Sequence, residues 1–169
     1  MAAQCATEVD DNPLWNFALA FYASKDVQQL LLKLQNDYQQ DTLLMLTALW
    51  LGHQDQKWQL TTTQLEDYFS WRKDVVWSLR STRKAIPKDT DSAEQLALRQ
   101  QIQKDEIRAE QIALHLLFQL HEGIPHQTVN TEAVLQNLIV QSELEENSGI
   151  KKEALEPLFQ QLAELLVSQ

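Results

Sequence analysis

Apolar residues recur along this chain at intervals of three and four, the spacing that puts them on one face of a helix. In the stretch from Asn12 to Gly52, Leu14, Phe17, Ala18 and Phe21 form such a face, which Trp15, Leu19 and Tyr22 widen. A helix apolar over most of its circumference belongs at the centre of a protein. Asn12-Pro13 opens it, because Asn caps a helix start well and Pro suits the first helical position. Ser24 or Asp26 caps a second helix carrying Val27, Leu30, Leu31 and Leu34 inward. Asp41 caps a third, whose run Leu43–Leu51 is interrupted only by Thr47. Gly52 is then expected just past its end, in a left-handed conformation.

Further along, His53–Leu60 reads as a loop. Thr63-Gln-Leu-Glu66 matches a capping box, so a fourth helix should begin near residue 64 and run to about Ala85. Pro87–Asp91 is the clearest break in the chain. Ser92-Ala-Glu-Gln95 is a second capping box and opens a long helix. Its inward face holds Leu98, Ile102, Ala109, Ile112, Ala113, Leu116, Leu117 and Leu120, and Gly123 and Pro125 mark its end. A sixth helix is expected over 130–145, with Val134, Leu138, Ile139 and Leu144 inward, and a turn at Asn147–Gly149. The last segment presents Leu155, Leu158, Phe159, Leu162, Leu165 and Leu166, with Pro157 starting or kinking it. No alternating strand pattern and no internal repeat occurs. The fold class is therefore all-α: a single-domain bundle of about six to seven helices without a sheet. Residues 1–11 are expected to be a disordered tail and 12–169 one helical domain, with a linker-like break at 87–91.

Composition supports helices: 3 glycines and 4 prolines in 169 residues all fall at expected helix ends or turns. The net charge of −10 disfavours nucleic acid as a partner, since phosphate recognition relies on excess Lys and Arg. The charge is uneven. Residues 71–88 carry 6 bases and 1 acid, whereas 89–169 carry 14 acids and 5 bases. One basic helix thus lies inside an acidic molecule. The single cysteine, Cys5, permits no internal disulfide, and the N-terminus lacks the basic and apolar regions of a signal peptide. No apolar run approaches the roughly 20 residues of a membrane span. A cytoplasmic location is expected.

On a wheel of about 100° per residue, Arg72 falls in the middle of the apolar stripe of the fourth helix, with Arg83 near the same line. A buried guanidinium needs a carboxylate, and Asp37, Asp41, Glu106 and Glu110 are the candidate partners for structural ion pairs. Alternatively, Arg72 and Arg83 frame an anion site inside the bundle. Lys73, Arg80 and Lys84 lie further round, and Trp77 falls among them at about 140° from Arg72. Trp and Arg are the side chains most enriched in binding hot spots. This pattern points to a non-enzymatic interaction or adaptor protein, with Lys73, Trp77, Arg80 and Lys84 docking an acidic or otherwise anionic protein partner. The alternative is a small anionic-ligand binder or enzyme built on an Arg72/Arg83 clamp.

The chain lacks a glycine-rich phosphate loop. His53, His115, His121 and His126 form no metal-binding spacing, and Cys5 has no histidine beside it in a defined element, so no cofactor, metal ligand or catalytic residue is expected.

The segments NPLWNFALAFYASKDVQQLLLKLQNDYQQD, LLMLTALWLG and WRKDVVWSLRSTRK resemble a family of gammaproteobacterial conserved-hypothetical proteins. The resemblance spans roughly residues 12–120 and is best around Trp15, Trp50, Trp71 and Arg80; it implies a compact bacterial helical protein. A fainter likeness, in helix content and a Trp-Arg step, is to helical isoprenoid-diphosphate synthases. That likeness implies magnesium and diphosphate held by aspartates, for which Asp37 and Asp41 supply one DxxxD; a second, facing motif is missing, and the chain is about half as long as such enzymes.

Overall fold

The computed structural model describes residues 9–122, 132–144 and 152–168. Among them the chain forms seven helices in one bundle and no sheet. The first, α1 (Pro13–Tyr22), starts where Asn12 accepts a hydrogen bond from the Leu14 N–H. It turns directly into α2 (Lys25–Tyr38), and the Gln28 side chain ties the corner by donating to the Tyr22 carbonyl at 2.8 Å. Gln39, at φ 53°, reverses the chain after α2. Asp41 then caps α3 (Thr42–His53) by accepting from the N–H groups of Leu43 and Leu44.

Helix α3 is the axis of the molecule. Its residues from Leu43 to Leu49, together with Leu51 and Gly52, are all buried, so it needs neighbours on every side. Gly52 is not the left-handed terminator expected from its position. It lies inside α3, and a Cβ there would sit 2.6 Å from the Cα of Val134. The glycine is needed for close approach of two backbones, and Asp55 at φ 55° makes the left-handed turn instead.

The following loop is pinned rather than loose. Trp58 is buried, its indole N–H donates to the Leu60 carbonyl, and its backbone N–H donates to Asn137. The capping interaction expected at Thr63 and Glu66 occurs two residues earlier: Gln64 accepts from both the N–H and the hydroxyl of Thr61. A 3₁₀ turn at Thr63–Leu65 leads into α4, which is α-helical over Glu66–Trp71, π-helical over Arg72–Val76 and α-helical again over Trp77–Ala85.

After the break at 87–91, Ser92 accepts from the Gln95 N–H, while the Gln95 side chain turns to Thr90. This opens α5 (Ala93–Glu122), 30 residues long. The indole of Trp71 donates to the Ala109 carbonyl, and Arg99 donates to the Arg83 carbonyl near the end of α4, so α4 is fastened along α5 at two levels. Val9 and Asp10 also meet α5, through Gln111 and Arg108. The rest of the expected tail, residues 1–8, lies outside the described residues, as do the predicted helix end at Gly123 and Pro125 and the turn at Asn147–Gly149.

Helix α6 (Ala133–Ser142) packs against α3 where Gly52 admits it, and Asn137 spans the join. Its amide donates to the carbonyls of Gln56 and Ala48 while its oxygen accepts from Trp58. Helix α7 (Lys152–Val167) buries Leu155, Phe159, Leu162 and Leu166. Pro157 neither begins nor ends it; the helix runs through.

Candidate functional site

The π turn decides what the basic helix can do. A turn closed from residue i to i+5 holds one residue more than an α-helical turn. Here the Trp77 N–H bonds to the Arg72 carbonyl. Trp77 is therefore placed one turn above Arg72 rather than about 140° round the helix from it. The two side chains stack, with the guanidinium carbon 4.4 Å from the indole centroid and 4.9 Å from the ring of Phe69. Arg72 is buried and donates to Asp41 at 2.6 Å, and Tyr68 donates to the same carboxylate oxygen at 2.7 Å. One aspartate thus caps α3, pairs with α4 and accepts from Tyr68.

The extra residue also turns everything after it by about one α-helical step. Arg80, expected on the outer face with Lys73 and Lys84, instead points at α5. It donates to Glu106 at 2.9 Å and to Glu110 at 2.6 Å. Arg83 grips the other oxygen of Glu106 at 2.5 Å. Glu106 is buried and sits between two guanidinia. Burial works to raise its pKa, but the hydrogen bonds from Arg83 and Arg80 prevail and hold it below the ordinary carboxylate value. Glu110 is pushed the other way: its burial, with the charge of Glu106 added, outweighs the attraction of Arg80. The Tyr22 phenol, close to the same groups, is raised by burial first and by Glu110 second.

Two adjoining clefts meet at Arg80 and Lys84. The outer one, of about 600 Å³, lies between the α2–α3 corner and α4 and is lined by Asp41, Arg72, Val76, Trp77, Arg80 and Lys84, with Gln35 and Asn36 opposite. The inner one, of about 490 Å³, lies among α1, α2, α4 and α5 and contains Trp15, Tyr22, Arg80, Arg83, Glu106 and Glu110 over a floor of Leu43, Leu46 and Leu114. Arg72 and Arg83, the expected clamp, line different clefts, and each is engaged with a carboxylate.

Of the candidate partner-binding residues, Trp77 remains 45 % exposed. Lys73 and Lys84 are exposed and form no ion pair among the described residues. Arg80 does not share their freedom. Asp37 pairs on the surface with Lys33, four residues away on α2, and does not face Asp41 across a diphosphate site. The magnesium-binding arrangement suggested by the synthase likeness has no counterpart, since no group of three or more potential metal ligands occurs among the described residues. No described helix is long and apolar enough to cross a membrane.

Sequence reasoning put Tyr22 and Leu19 on the widened apolar face of the first helix and gave Leu32 and Ile107 no role; all four open onto the inner cleft. Their signal was apolar residues just outside the inward face of each helix.

No curated protein and no solved structure matches the chain. A family model does match, over residues 13–117, which takes in α1 to α4 and most of α5 with every ion pair of the two clefts. The chain belongs to the family described as Protein of unknown function (DUF2390).

Proposed function

We propose that this is a non-enzymatic bacterial interaction protein of the cytoplasm, which docks an acidic segment of a protein partner across the outer face of α4. The observation that carries this reading is Trp77: a large aromatic side chain, 45 % exposed and stacked on a buried guanidinium, on a helix that also exposes the lysines Lys73 and Lys84. The stacking holds the indole in one orientation, so little side-chain freedom is lost when a partner covers it. The surrounding protein is acidic, with a net charge of −10, so an acidic partner is attracted to this helix and repelled elsewhere. Arg80 contributes from beneath, by holding α4 against α5, rather than by direct contact.

Affinity capture from native extract, comparing wild type with a folded Trp77→Ala, Lys73→Glu, Lys84→Glu variant, tests this. The reading requires an acidic partner that wild type retains, that salt weakens and that the variant loses. Equal capture by both proteins, or no partner at low salt, would sink it.

A further inference from the structure

The inner cleft has a different composition from the Trp77 face. Among the described residues, six large apolar side chains stand well exposed, and three of them, Leu19, Leu32 and Ile107, line this one cleft from three different helices. Chance exposure scatters such residues singly. Convergence of three on a concavity of about 490 Å³ gives apolar walls of the size that small-molecule sites use.

The side of the cleft where α4 faces α5 is polar. Glu106 spends both oxygens on Arg80 and Arg83, and Glu110 spends one on Arg80. Among the described residues, the Tyr22 hydroxyl makes no hydrogen bond and Lys84 makes no ion pair. Three bases, Arg80, Arg83 and Lys84, face two acids, Glu106 and Glu110, so the lining has one positive charge in excess. That balance, with a phenol donor beside it, suits a single anionic head, while the walls suit an apolar body.

We propose that the inner cleft is a binding site for a small amphipathic carboxylate, its chain lying between Leu19, Leu32 and Ile107 and its head meeting Tyr22, Arg80, Arg83 and Lys84. Glu110 faces the head from α5, with Tyr22 from α1 and both arginines from α4. Burial and the neighbouring Glu106 raise the Glu110 pKa, whereas the hydrogen bonds of Arg83 and Arg80, against burial, lower that of Glu106, so the negative charge beside the head is held less firmly at Glu110 than at Glu106. This site shares Lys84 with the partner-docking face, but Leu19, Tyr22 and Ile107 line the inner cleft alone, so variants at those three residues test it separately.

Decanoate serves as the probe, with decyltrimethylammonium as its cationic counterpart of equal chain length, each titrated by calorimetry into the full chain below micelle formation. Saturable one-to-one binding of decanoate, about tenfold or more tighter than the cation, is expected. Leu19→Glu and Ile107→Glu, each placing a carboxylate in an apolar wall, should weaken decanoate about tenfold or more. Tyr22→Phe should weaken it about fivefold, the loss of one hydrogen bond. Leu98→Glu, equally exposed but outside the cleft, should change nothing. The proposal is overturned by no saturable binding, by equal affinity for the two head groups, or by wall variants that bind decanoate as the wild type does.

Discussion

Replacing Glu106 by Gln is the sharpest probe of how α4 is held. The carboxylate is 5 % exposed and accepts from Arg80 Nε at 2.9 Å, Arg83 Nε at 2.5 Å and Arg83 Nη2 at 3.3 Å. An amide of the same shape keeps one acceptor and turns an NH₂ toward a guanidinium. Breaking a buried pair costs about 3–5 kcal/mol. Arg80 keeps Glu110, and the side chains of Arg80 and Arg83 are 21 % and 19 % exposed, so water recovers part of the loss. The expected cost is about 2–3 kcal/mol, a fall in Tm of roughly 5–10 °C for a chain of this size.

Glu110→Gln is the contrasting variant. Burial already disfavours the Glu110 charge, so removing it should cost less than about 1 kcal/mol despite the Arg80 contact. The two glutamates also respond to pH with opposite signs. Glu106 titrates lower in the folded state than in the unfolded chain. Its contribution is therefore complete above the unfolded value of about 4.3 and lost as pH falls through the lower, folded value. Glu110 titrates higher when folded, so its ionisation subtracts stability as pH rises from about 4.3 through the raised value. Urea unfolding followed by tryptophan fluorescence, from pH 3 to pH 8, measures both. The gap between wild type and Glu106→Gln should close in acid, and the wild type should lose ground to Glu110→Gln as pH rises. Equal costs for the two variants, or a Glu106 gap that does not narrow between pH 5 and pH 3, would refute this account of the network.

Other substitutions isolate single features. Gly52→Ala gains up to about 1 kcal/mol of helix propensity yet must force α3 and α6 apart, so a net loss of about 1–3 kcal/mol in chemical denaturation is expected; a neutral or stabilised variant would show that the backbones yield freely. Asp41→Ala should unfold at lower urea than Asp41→Asn by about 1 kcal/mol, because Asn keeps the cap on α3. Asn137→Ala leaves the Trp58 N–H and the Gln56 carbonyl without their partner and should cost about 2–3 kcal/mol, with faster hydrogen exchange at Trp58 if the loop detaches first.

Periodicity revealed the helices because each buries one stripe, and the caps at Asn12, Asp41 and Ser92 act locally enough to be read from a few neighbouring residues. What sequence spacing hid was non-local. The wheel drawn through α4 assumed a constant rise and turn, and the π segment at Arg72–Val76 breaks that assumption. Hence Trp77 was expected far from Arg72 yet stacks on it, and Arg80 was expected outside yet joins Glu106 and Glu110. The acids named as partners for buried arginines did include Asp41, Glu106 and Glu110, since an uncompensated guanidinium is too costly to bury. Gly52 looked like a terminator because its partner, Val134, is distant in sequence and nothing local announces a close approach.

The join between α3 and α6 has a consequence for anyone dividing this protein. The family model stops at residue 117, and α6 and α7 lie beyond it. Yet α3 is buried all round, Gly52 lies against Val134, and the loop at Trp58 is bonded to Asn137. A fragment ending at the family boundary would carry both clefts but would bare one side of its central helix to water. Such a piece should be insoluble or associate with itself when expressed alone. The matched segment is thus not expected to fold by itself, and binding measurements on it would sample an exposed core.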